Sequence, residues 1–172
     1  MISLDATAVN VAVPAIGRSL RGATAGLAWT VDGYTVPFAA LLISAGAVSD
    51  RLGARRVFGW GLAGFAVASA ACGLAPSLPV LIAARVVQAC AGAVMLPSSL
   101  ALVRQAHPGP AARARAVAMW SAGGATAMAA GPVLGGVLTS ALGWRAIFFV
   151  NLPVAAVTLA LAARAPRAPR LA

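Results

Sequence analysis

Six apolar runs, each near the thickness of a bilayer, follow one another along this chain with short arginine-bearing breaks between them. A helix needs about 20 mainly apolar residues, at about 1.5 Å each, to cross the hydrocarbon core. The runs predict spans at about residues 2–17, 27–48, 57–75, 80–103, 116–138 and 146–163. The expected fold is therefore an all-α, six-transmembrane-helix bundle over residues 1–163, with 164–172 as a basic tail or linker. No signal peptide is expected, because no basic stretch precedes the first apolar run.

Charge supports the membrane reading. Only 9% of the residues are charged, against about 25% in a soluble domain. All basic residues are arginine and all acidic ones aspartate, giving a net charge of +10. Such a balance can mark a nucleic-acid binder. Here the arginines cluster between apolar runs, whereas a soluble basic domain spreads them over one face, so no nucleic-acid partner is expected. Their distribution sets an orientation. If the break at 50–56 is cytoplasmic, Arg51, Arg55, Arg56, Arg104, Arg113, Arg115, Arg164, Arg167 and Arg170 lie inside, and Arg18, Arg21 and Arg145 outside. That positive-inside bias places both termini in the cytoplasm. Trp29, Trp60, Trp120 and Trp144 fall near predicted helix ends, as interfacial aromatics do.

The densest charge lies in Gly46-Ala-Val-Ser-Asp50-Arg51-Leu-Gly53-Ala-Arg55-Arg56. It reads as a tight turn between spans 2 and 3. Asp50 ends the first helix, Gly53 permits a left-handed residue, and the arginines hold the loop at an anionic surface.

Arg85 is the strongest functional pointer. A charge inside a span is costly, so it faces protein or a water-filled cavity. Arg85, Gln88 and Gly92 share one helical face. The plainer alternative is an arginine that only bridges helices through backbone carbonyls. Asp5 is the second candidate, as a carboxyl that exchanges a proton or as an exposed, inert group at a frayed helix start. Asn10 shares its helix. Asp32, near the outer end of span 2, is a weaker candidate beside its reading as a solvated residue complementing the helix dipole. Together Asp5, Asn10, Asp32, Arg85 and Gln88 form the candidate proton-coupling or substrate cavity. In span 5, Gly123-Gly124 and Gly131-Pro132-Val-Leu-Gly135-Gly136 permit close helix contact and a bend. Helices 1 and 4 each carry a charge early and a proline late (Asp5 and Pro14, Arg85 and Pro97), as two inverted three-helix units would.

No enzyme is expected. One histidine, His107, and no glutamate leave little for acid–base or metal chemistry. Cys72 and Cys90 read as small buried hydrophobes. No glycine-rich loop with lysine is present to drive a pump with ATP. Neither a metal nor a cofactor is expected.

The pattern Gly46-x-x-x-Asp50-Arg51-x-Gly53-x-Arg55-Arg56 resembles the signature between helices 2 and 3 of the major facilitator superfamily of secondary transporters. More of the chain is similar to its fourteen-helix branch of drug:proton antiporters. Leu4-Asp5-Ala-Thr7-Ala-Val-Asn10-Val-Ala12-Val-Pro14 resembles the helix 1 signature, and Trp29-Thr-Val-Asp32-Gly-Tyr34 the start of helix 2. Arg85-Val-Val-Gln88 resembles the helix 4 signature, Gly131-Pro132 with Gly135-Gly136 that of helix 5, and Trp144-Arg145-Ala-Ile-Phe148-Phe-Val-Asn151-Leu-Pro153 the segment leading into helix 6.

The resemblance implies the N-terminal half of the major facilitator fold, a 3+3 inverted repeat in the inner membrane. It implies alternating access driven by a proton gradient, with efflux of a small amphipathic compound. Asp5 and Arg85 would serve coupling or substrate binding. Asp50, Arg51 and Arg55 would latch the cytoplasmic side, and the Gly131–Gly136 seam would control leak and exchange. Where the family has Gly-x-Gly after the helix 4 glutamine, this chain has Ala89-Cys90-Ala91, which should loosen helix approach; Ala127 likewise replaces a usual glycine. The partners implied are the bilayer, the substrate, and a missing C-terminal half or a second copy. The alternative is a truncated, non-transporting membrane module that pairs with or regulates another transporter half.

Overall fold

A computed structural model describes residues 1–21 and 24–164, and every regular element among them is an α-helix. In chain order these are α1 (Ile2–Leu20), α2 (Thr24–Leu52), α3 (Ala54–Gly73), α4 (Leu78–Ala106), α5 (Pro110–Leu142), α6 (Arg145–Phe149) and α7 (Asn151–Arg164). Among the described residues, four stretches are long and apolar enough to cross a membrane: 26–52, 78–106, 110–142 and 145–162. Helices α1 and α3, of 19 and 20 residues, reach about 30 Å, close to the hydrocarbon thickness. The chain is an all-α membrane protein. The tail expected after Arg164 lies outside the described residues.

Charge breaks the helices far less than expected. Helix α2 continues through Asp50 to Leu52, so Asp50 does not end it. Gly53 alone separates it from α3, at φ +90°, and its N–H still donates to Ser49 O at 3.0 Å. A charged side chain on the outer face leaves the backbone ladder intact; the helix ends only where a residue leaves the helical region, and Gly53 does so without a Cβ to strain. Arg55 and Arg56 thus sit in the first turn of α3. The basic stretch 104–115 is likewise mostly helical: only residues 107–109 interrupt it, where prolines 108 and 110 supply no N–H.

The last predicted span comes in two pieces. Pro153 lacks the N–H that would bond to Phe149 O, and the ladder lapses there. Val150, between α6 and α7, keeps helical angles of φ −59° and ψ −28°, so the two run on as one rod with a joint.

Helices α2 and α3 both lie along α4, α5 lies along α1, and α6 and α7 rest on α3. The pairs α1·α5 and α4·α2 correspond when helices 1–3 and 4–6 are exchanged, as in an inverted repeat. Close approach of α3 to α4 beside Ala89-Cys90-Ala91 is made from the α3 side. A Cβ on Gly61 would lie 3.0 Å from Met95 N and 3.1 Å from Ala91 O.

Contacts at the two ends fix the alternation of the helices. Arg55 Nη2 donates to Ala162 O at 2.6 Å, bringing the α2–α3 break beside the end of α7. Arg145 Nη2 donates to Ala75 O at 3.1 Å, joining the α5–α6 and α3–α4 turns at the other end. Large apolar residues such as Ile43, Val67, Met119 and Leu161 are exposed on the outside, a surface suited to lipid. Trp29 and Trp60 are exposed too, but Trp144 departs from the interfacial reading and is buried edge-on against Phe148.

Candidate functional site

The largest fully buried side chain is Arg85, on α4. Its Nη1 lies 2.5 Å from Asp5 Oδ2 on α1, and both residues are almost wholly withdrawn from solvent, at 1% and 0% exposure. Sequestering two charges costs several kcal/mol per ion unless each is paired and its remaining hydrogen-bonding capacity filled.

Helices α2, α4 and α7 fill it here. Arg85 Nη1 also donates to Gln88 Oε1 at 2.8 Å, one helical turn on. Arg85 Nε donates to the backbone oxygen of Thr30 on α2 at 3.2 Å. The guanidinium lies 4.1 Å from the Tyr34 ring centroid and 5.8 Å from that of Phe148, placing a delocalised cation against aromatic faces. The other carboxylate oxygen, Asp5 Oδ1, accepts from Asn151 Nδ2 on α7 at 2.9 Å and from Gln88 Nε2 at 3.3 Å. Asn151 Nδ2 also donates to Ser69 Oγ on α3 at 3.0 Å, and Ser69 Oγ donates to Phe148 O at 2.8 Å. Cys72 Sγ donates weakly to Gln88 Oε1 at 3.6 Å.

This environment has a definite chemical sense. Asp5 is surrounded by donors, which suit an ionised carboxylate. A proton arriving on Asp5 would cancel the ion pair and turn an acceptor into a donor, leaving Arg85 to Gln88 and the Thr30 carbonyl. The hydroxyls of Thr30 and Tyr34, both on α2, are buried with no hydrogen-bond partner among the described residues.

The cavity residues expected from sequence therefore divide. Asp5, Arg85 and Gln88 come together, and Asp5 is neither frayed nor exposed. Asn10 does not join them: it is exposed, with Nδ2 donating to Ala6 O at 3.3 Å. Asp32 is also exposed, because one turn of α2 carries Thr30 and Tyr34 inward and Asp32 outward.

The helix 5 seam divides similarly. Gly131 and Gly135 are buried against α1. A Cβ on Gly131 would collide with Thr7 Oγ1 and stand 3.1 Å from Leu4 O; one on Gly135 would stand 2.7 Å from Ala8 O. Gly136 touches α1 lightly through Val11, Pro132 is exposed, and Gly123 faces open space. At the α2–α3 break Asp50, Arg51 and Arg56 are exposed, Gly46 has no close neighbour, and Arg55 reaches α7.

Sequence reasoning did not single out Asn151, Ser69, Thr30 and Tyr34 as site residues. Asn151 carried a readable signal, as one of two asparagines in the chain, placed inside an apolar run. Ser69, in a helix of alanine and glycine, looks like any small packing residue.

Comparison with known proteins agrees with this architecture. The family model described as Major Facilitator Superfamily matches residues 1–171. The methylenomycin A resistance protein of Streptomyces coelicolor is 45% identical over 100% of this chain and 37% of its own length. The tetracenomycin C resistance and export protein of Streptomyces glaucescens is 42% identical over 99% of the chain and 32% of its own length. The multidrug resistance protein Stp of Mycobacterium tuberculosis is 44% identical over 94% and 30%. The chain thus spans about a third of the length of these relatives.

Proposed function

The chain belongs to the major facilitator superfamily, and on that footing we propose that it forms the proton-coupling bundle of a drug exporter, with no chemical step of its own. The relatives named for resistance and export support this reading. The observation that carries it is the buried Asp5–Arg85 ion pair, held by polar side chains from α4 and α7.

In the hypothesised cycle, Asp5 is ionised and paired with Arg85 while the binding cavity holds substrate. A proton entering from outside neutralises Asp5 and weakens the pair. That favours the conformation that has released an amphipathic compound outward. Discharge of the proton to the cytoplasm restores the pair. The proton does this only by its differential affinity for the two conformations, so the proton gradient is the energy source and no cofactor takes part. The remainder of the cavity comes from a second bundle, since rocking needs two halves. The arginine-rich ends, and with them both chain ends of this bundle, face the cytoplasm in the inner membrane.

The test is proton-driven export of ethidium into the lumen of everted vesicles carrying the native gene product, the lumen corresponding to the outside of the cell. Asp5→Asn should abolish efflux driven by a pH gradient while the protein still accumulates in the membrane. Unchanged gradient-driven efflux would overturn the proposal.

A further inference from the structure

Asn151 stands where α6 gives way to α7, at 1% exposure. The missing N–H of Pro153 opens the helical ladder there, and the neighbouring Phe148 carbonyl receives the Ser69 hydroxyl at 2.8 Å. With its hydrogen committed to Phe148 O, Ser69 Oγ offers Asn151 only a lone pair. On its other side Asn151 meets Asp5 Oδ1, which also only accepts when ionised. Between two acceptors only the NH2 end of the amide fits, and both of its hydrogens are used, at 2.9 Å and 3.0 Å. The chain Phe148 O, Ser69, Asn151, Asp5 is therefore polarised in one direction, toward the carboxylate.

We propose that Asn151, oriented by Ser69, is a positioning residue that holds Asp5 in its ionised form and so sets the pH range over which Asp5 takes up its proton. The inference rests on the reading of Asp5 as the coupling carboxyl. Arg85 binds one carboxylate oxygen, and Asn151 with Gln88 binds the other. A protonated Asp5 would weaken both sets of contacts and release Asn151 at the α6–α7 joint. The charged and titratable groups facing Asp5 are Arg85 from α4, Tyr34 from α2, Cys72 from α3 and the Met1 amino group just ahead of α1. Helix α5 presents glycines to α1 at this level, and α7 presents Asn151 itself. Substituting Asn151 therefore removes a donor and leaves every neighbouring charge in place.

The experiment is pH-difference infrared spectroscopy of the purified full-length protein in lipid, following the carboxylic C=O stretch that Asp5→Asn removes. Asn151→Ala should move the midpoint of that band to higher pH by about one unit, the worth of one charge-assisted hydrogen bond. Ser69→Ala, which only loosens the orientation of Asn151, should move it the same way by less. The pH profile of ethidium efflux should shift in parallel. If Asn151→Ala does not accumulate in membranes, Ser69→Ala decides by itself. Midpoints that stay at the native value would overturn the inference. Proton-driven efflux surviving Asp5→Asn would instead overturn the functional reading, while the band still reports whether Asn151 acts on Asp5.

Discussion

Gly135 meets Ala8 backbone to backbone: a Cβ on the glycine would stand 2.7 Å from the Ala8 carbonyl oxygen and 2.8 Å from its Cα. Both atoms are main chain and cannot turn aside, so a methyl group there must push α1 off α5. Overpacking of this kind costs about 1–3 kcal/mol. Gly135→Ala should lower thermal stability in detergent by that amount. Gly123→Ala, facing open space on the same helix, should change stability by no more than about 0.5 kcal/mol. Equal effects at the two positions would mean that α1 and α5 do not pack as described.

Removing one partner of the Arg85–Asp5 pair should be worse than removing both. Arg85→Met leaves a buried carboxylate facing only neutral donors, and breaking such a pair costs about 3–5 kcal/mol. Combining it with Asp5→Asn removes the stranded charge. The double variant should then be more stable than Arg85→Met, and a double-mutant cycle from thermal unfolding in lipid nanodiscs measures the difference. A double variant no more stable than Arg85→Met would show that the two charges are not coupled in the fold.

The helices were legible because lipid leaves few choices: long apolar runs must satisfy their own backbone, and that necessity shows in composition alone. Asp5, Arg85 and Gln88 were legible for the same reason, as polar groups where hydrophobic ones are expected. Which way Asp32 and Asn10 point was not, because a 3.6-residue period separates inward from outward only when the neighbouring helix is known. Gly123 and Gly135 look alike in sequence, yet only the crossing of α1 over α5 makes one indispensable. The breaks were misjudged by treating charge as a helix terminator, when at residues 50–56 the backbone of Gly53 ends the helix and the arginines ride along. Ser69 acts through a carbonyl that α6 exposes, a relation between distant segments that no local pattern records.

The link between the α2–α3 break and α7 is separately testable. Arg55 reaches Ala162 O with a charged donor at 2.6 Å in a half-buried position, and part-exposure holds its worth to about 1 kcal/mol. Arg55→Gln should raise hydrogen exchange in the last turns of α7 by about fivefold, since 1.4 kcal/mol corresponds to tenfold. Exchange elsewhere in the bundle should stay at its native rate. An unchanged α7 would show that the contact does not hold the helix end.

Orientation in the membrane turns on which end carries the arginines. Arg104, at the end of α4, and Arg113, near the start of α5, share an end with Arg55, whereas Arg18, at the end of α1, shares the opposite end with Arg145. Positive charge is retained on the cytoplasmic side, most strongly in short loops such as residues 107–109. Single variants Arg18→Cys and Arg104→Cys, treated in intact cells with a membrane-impermeant maleimide, read this directly. Cys72 is buried and Cys90 half-buried within helices, so the unsubstituted protein sets a low background. Arg18→Cys should label in intact cells, and Arg104→Cys only after the membrane is opened. The reverse pattern would invert the bundle, and the proton would then meet Asp5 from the other side.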